Sequence, residues 1–314
     1  MIKFLKISLA FLVVLYLTLL NMSATFDEIL KNDHTNKFNW IYSKENETYD
    51  FAVLGSSRGA CNVDVFTLEN ELHRKGINLS QVGTAFAELR LIWEAFLKKN
   101  TVKQLLVEVD IFGLDNSNFG HPYHEYNFFP YMNEDFIYND MKNNFGTKAV
   151  VWKQVPFYKY AEYNSISGFS GILSVIKKLP SEYDEKGGMM LDTPFLENKN
   201  VMENRDKIKN SVYTIDKERV VPLKAIIDLA KEKNIQVILF IAPSFNEALQ
   251  YQKNRTEIIG YYASLANEMG IQFFDYTNLP MCSDIRLFAD LEHTTRKGAI
   301  EFSGIFAREL SNPN

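Results

Sequence analysis

Residues 51–59 read FAVLGSSRG, and how this stretch is read decides how the rest of the chain divides. Four consecutive apolar residues closed by a glycine have the pattern of a short strand buried on both faces. The small residues after it let the chain turn tightly and let another group approach the backbone. The next segment, Asn62 to Arg74 (NVDVFTLENELHR), has helical spacing and stops at Lys75-Gly76. The three together predict a strand, a tight turn and a helix.

The same rhythm repeats in the flanking sequence. Ile77 to Val82 reads as a second strand ending at Gly83, and Thr84 to Lys99 as an amphipathic helix with Leu89, Ile92, Trp93, Phe96 and Leu97 on one side. Gln104 to Val109 (QLLVEV) is a third strand. A helix from about Val221 to Lys233 follows, with Pro222 in its first turn and Asn234 past its end. Gln236 to Ile241 (QVILFI) is a fourth strand, leading into Ala242-Pro243-Ser244. Thr256 to Met269, closed by Gly270, is a helix, Ile271 to Tyr276 a fifth strand, and Arg296 to Leu310 the last helix. Apolar strands alternating with helices predict an α/β fold: a three-layer α/β/α, flavodoxin-like sandwich on a five-stranded parallel sheet. Such sheets bind ligands at the carboxyl ends of their strands. The residues to inspect are therefore those after Gly55, Gly83, Asp110 and Pro243, and the loop before the last helix.

Between about residues 111 and 216 the alternation breaks down into a stretch rich in aromatics and asparagine (HPYHEYNFFPYMNEDFIYND within it). It reads as an insertion in a domain spanning 50–314, covering one end of the sheet. Tyr123, Tyr126, Phe128, Phe129 and Tyr131 either stack on sugar rings or form a small core of their own. His121, His124 and Glu125 have poor ligand spacing on an irregular loop, so no metal is expected there.

The N-terminus differs from the rest. Lys3 and Lys6 precede a charge-free run from Ile7 to Phe26, closed by Asp27 and Glu28. A run of about 20 apolar residues spans a bilayer, and lysines before it with acids after it place the body outside the cytoplasm. A cleaved signal peptide is the competing reading. The length of the run and the poor cleavage site at Met22-Ser23-Ala24 favour an uncleaved anchor over residues 1–26. The mixed polar segment 27–49 reads as a juxtamembrane stalk. Net charge is −5, with no basic cluster, which argues against nucleic acid as a partner. Neither a Gly-x-Gly-x-x-Gly after the first strand nor a Walker A pattern occurs, so no nucleotide cofactor is implied. Cys61 and Cys282 lack Cys-x-x-Cys spacing; they are either a disulfide or two buried thiols.

Two segments carry residues suited to chemistry. Ser57, in Gly55-Ser56-Ser57-Arg58-Gly59, lies at the start of a helix beside free backbone N–H groups. Far along the chain, Asp290 and His293 stand three apart in the loop before the last helix. One turn brings such side chains together, and an aspartate on one imidazole nitrogen frees the other to take a serine proton.

A serine after the first strand, a glycine after the second and Asp-x-x-His before the last helix together resemble the SGNH, or GDSL, hydrolase family over about Phe51 to Leu310, outside the insertion. The resemblance implies Ser57 as nucleophile, His293 as base and Asp290 as its orienting partner. It also implies an oxyanion hole from the N–H groups of Ser57 and Gly83, and acyl-serine chemistry without a cofactor. Ser56 replaces the family's usual aspartate before the nucleophile. Glu108-Val109-Asp110 stands where the family supplies an asparagine donor. Arg58, Asp110, Asn116 and Asn118 are therefore candidate substrate contacts; either Asn116, Asn118 or Arg58 replaces the missing donor, or the hydrolysis rate is low. A Gly-Ser-Ser first block behind an N-terminal anchor resembles a branch of the family that assists O-acylation of envelope polysaccharides. This implies a carbohydrate or glycolipid ester substrate and a multi-pass membrane acyltransferase as partner. The unusual third block favours the alternative, a non-catalytic glycan-binding or scaffold subunit.

Overall fold

The structure, a computed structural model, describes residues 1–115, 123–193, 212–250 and 252–311. The chain forms two compact units, one from residues 1–43 with 124–181, the other from 44–123 with 182–314.

The second unit is the α/β fold that the alternation predicts. Its strands are β1 (Thr48–Leu54), β2 (Gly76–Asn78), β3 (Thr101–Glu108), β4 (Gln236–Ile241) and β5 (Gln272–Asp275). They lie in the order β2-β1-β3-β4-β5, every neighbouring pair parallel. This is the flavodoxin-like order, in which the chain reverses direction across the sheet between β1 and β3. Alternate residues Phe51, Val53, Leu106, Ile238 and Phe240 enter one core with Phe302 and Phe306. The intervening Ala52, Leu54, Leu105, Val107, Leu239 and Ile241 are fully buried as well, so both faces of the sheet are covered.

Among the described residues the α-helices, in order, are α1 (Ile2–Leu30), α2 (Lys37–Tyr42), α3 (Ser57–Asn62), α4 (Val65–Leu72), α5 (Phe86–Leu97), α6 (Asp135–Phe145), α7 (Thr147–Gln154), α8 (Tyr158–Glu162), α9 (Phe169–Lys177), α10 (Lys217–Glu232), α11 (Arg255–Glu268) and α12 (Arg296–Ser311). In the second unit α12 packs on α3 and α4, while α5 packs along α10. Two local expectations are corrected. The helix expected from Val221 starts at Lys217, capped by Asp216, whose carboxylate accepts from the Glu218 N–H at 2.9 Å. Pro222 is therefore inside the helix rather than in its first turn. The helix expected from Asn62 starts at Val65, because Val63 and Asp64 are extended and Asp64 caps α4; Asn62 instead ends the short helix that begins at Ser57.

In the first unit α1 is 29 residues long and apolar enough to cross a membrane. Its last turns are part of a folded body. Phe26 packs edge-on to Phe157 and Phe169, at centroid distances of 4.9 and 5.3 Å. The Asp27 carboxylate accepts from Lys159 Nζ at 2.7 Å and from the Tyr160 hydroxyl. The segment read as a stalk is thus divided: residues 27–43 belong to this unit and 44–49 to the other. Within the first unit, α2 buries Phe38 and Ile41, and the Phe38 ring meets that of Phe128 at 4.6 Å. The expected insertion is divided in the same way, with 124–181 here and its two flanks in the second unit. Of its aromatics, Tyr123, Phe128, Phe129 and Tyr131 are buried, and Phe129 stacks edge-on to Trp152 at 5.0 Å. Phe128, Phe129 and Tyr131 are core of this unit, not an exposed sugar platform.

Candidate active site

The site residues lie in the second unit, at the carboxyl end of the sheet. Gly55 ends β1 beside β3; a Cβ at Gly55 would lie 2.7 Å from the Cβ of Glu108, so the close approach of the two chains requires glycine. Ser56 then caps α3, and Ser57 is its first residue. Gly83 follows β2, the strand beside β1, with φ at +72°, the left-handed region that favours glycine.

Ser57, Asp290 and His293 come together. His293 Nε2 lies 2.7 Å from Ser57 Oγ. On the other side of the ring, Nδ1 lies 2.8 and 3.0 Å from the two carboxylate oxygens of Asp290. Asp290 Oδ1 also accepts from the backbone N–H groups of Glu292 and His293, at 2.8 and 2.7 Å. The carboxylate is therefore fixed by its own loop before it meets the imidazole. Burial pushes the Asp290 carboxyl up, but the His293 bond and charge and the two N–H donors outweigh it, and the group ends below its ordinary value. Burial pushes His293 down, but Asp290 outweighs that too, and the imidazole ends above 6.5.

Asn62 holds the two segments in register. Its Nδ2 donates to the carbonyls of Glu292 (3.0 Å) and Pro243 (3.3 Å), and its Oδ1 accepts from the Thr294 N–H at 2.9 Å. One buried amide at the end of α3 thus binds the histidine loop to the serine helix. In the sequence it reads only as the first residue of a helix.

Arg58 faces inward. It is buried, with Nη1 2.7 Å from Glu292 Oε2, Nε 3.4 Å from Glu108 Oε1, and Nη2 donating to the Ala242 carbonyl. Glu292 also accepts from Ser244 Oγ at 3.2 Å and Gln252 Nε2 at 2.9 Å. The guanidinium is held by these internal acceptors, which corrects the expectation that Arg58 meets the substrate or replaces an oxyanion donor. Burial drives Glu108 up to about 8, and the nearby Asp110 adds to the rise against the pull of Arg58. Asp110 is half-buried and accepts from Ser56 Oγ at 2.9 Å. The third block therefore supports the turn that carries Ser57. Asn116, Asn118 and His121 lie outside the described residues.

The sequence reading gives no site role to Glu292, Asn62, Ser244 or Gln252. Glu292 lies between Asp290 and His293 in the sequence, and only its geometry distinguishes it from a surface acid. The two cysteines are separate buried thiols rather than a disulfide. Burial pushes the Cys61 thiol up to about 12.

No protein-family model matches the chain, and no curated protein matches it. Among solved structures, a protein of Bacteroides fragilis provisionally named an acylhydrolase aligns with 86% of this chain and 90% of its own, at 10% identity and a TM-score of 0.37.

Proposed function

We propose that the chain is an SGNH-type serine esterase or O-acyltransferase, held by α1 on the extracytoplasmic side of a membrane and acting on a cell-envelope carbohydrate ester. The observation that carries the chemistry is the run Ser57 Oγ, His293 Nε2, His293 Nδ1, Asp290, with links of 2.7 and 2.8 Å. Ser57 Oγ attacks the acyl carbonyl while His293 takes its proton. The N–H groups of Ser57 and Gly83 steady the negative oxygen of the tetrahedral intermediate. His293 returns the proton to the departing alcohol, leaving an acyl-serine. It then deprotonates the acceptor, water for an esterase and a sugar hydroxyl for a transferase; the acceptor oxygen bonds to the acyl carbon, the bond to Ser57 Oγ breaks, and His293 returns the proton to Ser57. Asp290 keeps the ring in the required tautomer and stabilises the imidazolium.

One observation favours a second reading, a scaffold or glycan-binding subunit: Asp110, a carboxylate, stands where a donor to the oxyanion is expected. A fluorophosphonate probe on the full-length protein in detergent separates the two, because only an activated serine is labelled. Labelling of wild type, lost in Ser57→Ala and His293→Ala, supports the enzyme. Equal inertness of all three folded proteins refutes an activated serine and favours the scaffold. Release of nitrophenol from p-nitrophenyl acetate then tests turnover.

A further inference from the structure

Helix α9 is apolar on two sides, but the first unit covers only one of them. Gly171 and Ile172 are buried. Around the helix, Phe169, Leu173 and Ile176 follow i, i+4, i+7 spacing and share a face. That face is open: Phe169 and Leu173 are each 52% exposed, Ile176 is 67% exposed, and Leu179 just beyond is 51% exposed. The polar residues Ser170, Ser174 and Lys177 occupy a narrow arc between the two apolar sides. An apolar face of this width on a helix is ordinarily covered, so the open side is suited to a second apolar medium.

The place of α9 identifies that medium. The charge-free run Ile7 to Phe26 is about 30 Å long at the helical rise, matching the hydrocarbon thickness of a bilayer. Its last residue, Phe26, is the one whose ring meets Phe169. Gly171 lies so near the next turn of α1 that a Cβ there would come within 3.0 Å of Leu30 Cδ2. α9 therefore starts beside the end of the apolar run of α1, the level at which, on the anchor reading, the hydrocarbon ends. Lys177 and Lys178 at its end can reach lipid phosphates while their stems stay apolar.

We propose that the Phe169, Leu173 and Ile176 face of α9, with Leu179 just beyond it, lies in the headgroup–acyl boundary of the same bilayer that α1 crosses. This rests on the anchor reading of α1. The first unit then holds the membrane by two elements, one across it and one along its surface.

The test uses the full-length protein in phosphatidylcholine vesicles with iodide on both sides. Leu173→Cys, Ile176→Cys, Ser170→Cys and Val13→Cys are each labelled with an environment-sensitive fluorophore; the wild type, whose two thiols are buried, is the blank. The expected result is blue-shifted emission at positions 173 and 176, quenched by a spin label near the lipid headgroup and spared by iodide. The label at 170 is quenched by iodide, and that at 13 by a spin label deep in the acyl chain. If 13 reports the deep quencher but 173 and 176 report iodide, or neither quencher, α9 faces water or protein. The proposal is then wrong and the anchor stands. If 13 itself reports iodide, both readings fall.

Discussion

Replacing Glu108 by glutamine should remove a steep pH dependence of stability. Glu108 is buried in the second unit beside Arg58, and its carboxyl is raised from 4.5 to about 8. Between those values the folded chain holds a proton that the unfolded chain has lost. The stabilisation linked to this proton is full below about 4.5 and declines as pH rises through about 8. Near the middle of the window each pH unit removes about 1.4 kcal/mol. From pH 5 to pH 7 the two titrations together give a loss on the order of 2–3 kcal/mol, or about 5–10 °C in Tm for a unit of this size. Glu108→Gln is neutral throughout and lacks this contribution, whereas Glu292, also raised by burial, remains in both proteins. The assay is thermal unfolding of full-length wild type and variant in one detergent at pH 5, 6 and 7, followed by near-ultraviolet circular dichroism. The quantity read is the difference between the two pH slopes. Parallel slopes would show that Glu108 is ionised in the folded protein at pH 7, and the reading that burial outweighs the pull of Arg58 on this carboxyl would fail.

Removing the orienting carboxylate in Asp290→Ala should lower ester hydrolysis by roughly 100- to 10,000-fold. It should also move the acid limb of kcat/KM to lower pH, because the aspartate is what lifts His293 above 6.5; an unmoved limb would rule out His293 as the titrating base. Gly298→Ala should cost at least about 1–3 kcal/mol, since its Cβ would fall 2.1 Å from the Leu287 carbonyl oxygen. Gly260→Ala, with nothing within 4 Å inside α11, should instead stabilise by about 0.5–1 kcal/mol. Paired thermal melts check both signs. Ellman's reagent should find neither thiol in the native protein and two in the unfolded, unreduced protein; two missing thiols in the unfolded protein would reveal a disulfide.

The sheet was legible because apolar strands closed by glycine leave a pattern that few other structures leave. Strand length was less legible. Thr48 to Asp50 extend β1 although polar, and β2 narrows to Gly76–Asn78, because pairing with a neighbour rather than composition decides where a strand ends. Asp290 and His293 were visible as a spaced pair, while Asn62 and Glu292 were not. What those two residues do depends on partners about 180 to 234 positions away, and no local pattern records such a distance. Arg58 was misread for a related reason. An arginine beside a nucleophile suggests a ligand contact, and only the fold reveals Glu108 and Glu292 behind it. The aromatics after residue 123 carry no periodicity of their own, because they form a core with residues from both ends of the first unit.

The salt bridge between Asp27 and Lys159 joins residues 132 positions apart, and this has a bearing on how the protein is made. A chain leaving the ribosome ordinarily completes its N-terminal domain first. Here the N-terminal segment waits for its counterpart at 124–181 until β1, β2 and β3 have already been synthesised. Those strands in turn wait for β4 and β5. Neither unit closes early, and both depend on contacts of long sequence separation, the kind that slow folding. The nascent polypeptide therefore spends much of its synthesis with Phe26, Phe38 and the first three strands uncovered, an interval in which a chaperone that binds exposed apolar segments would find its substrate.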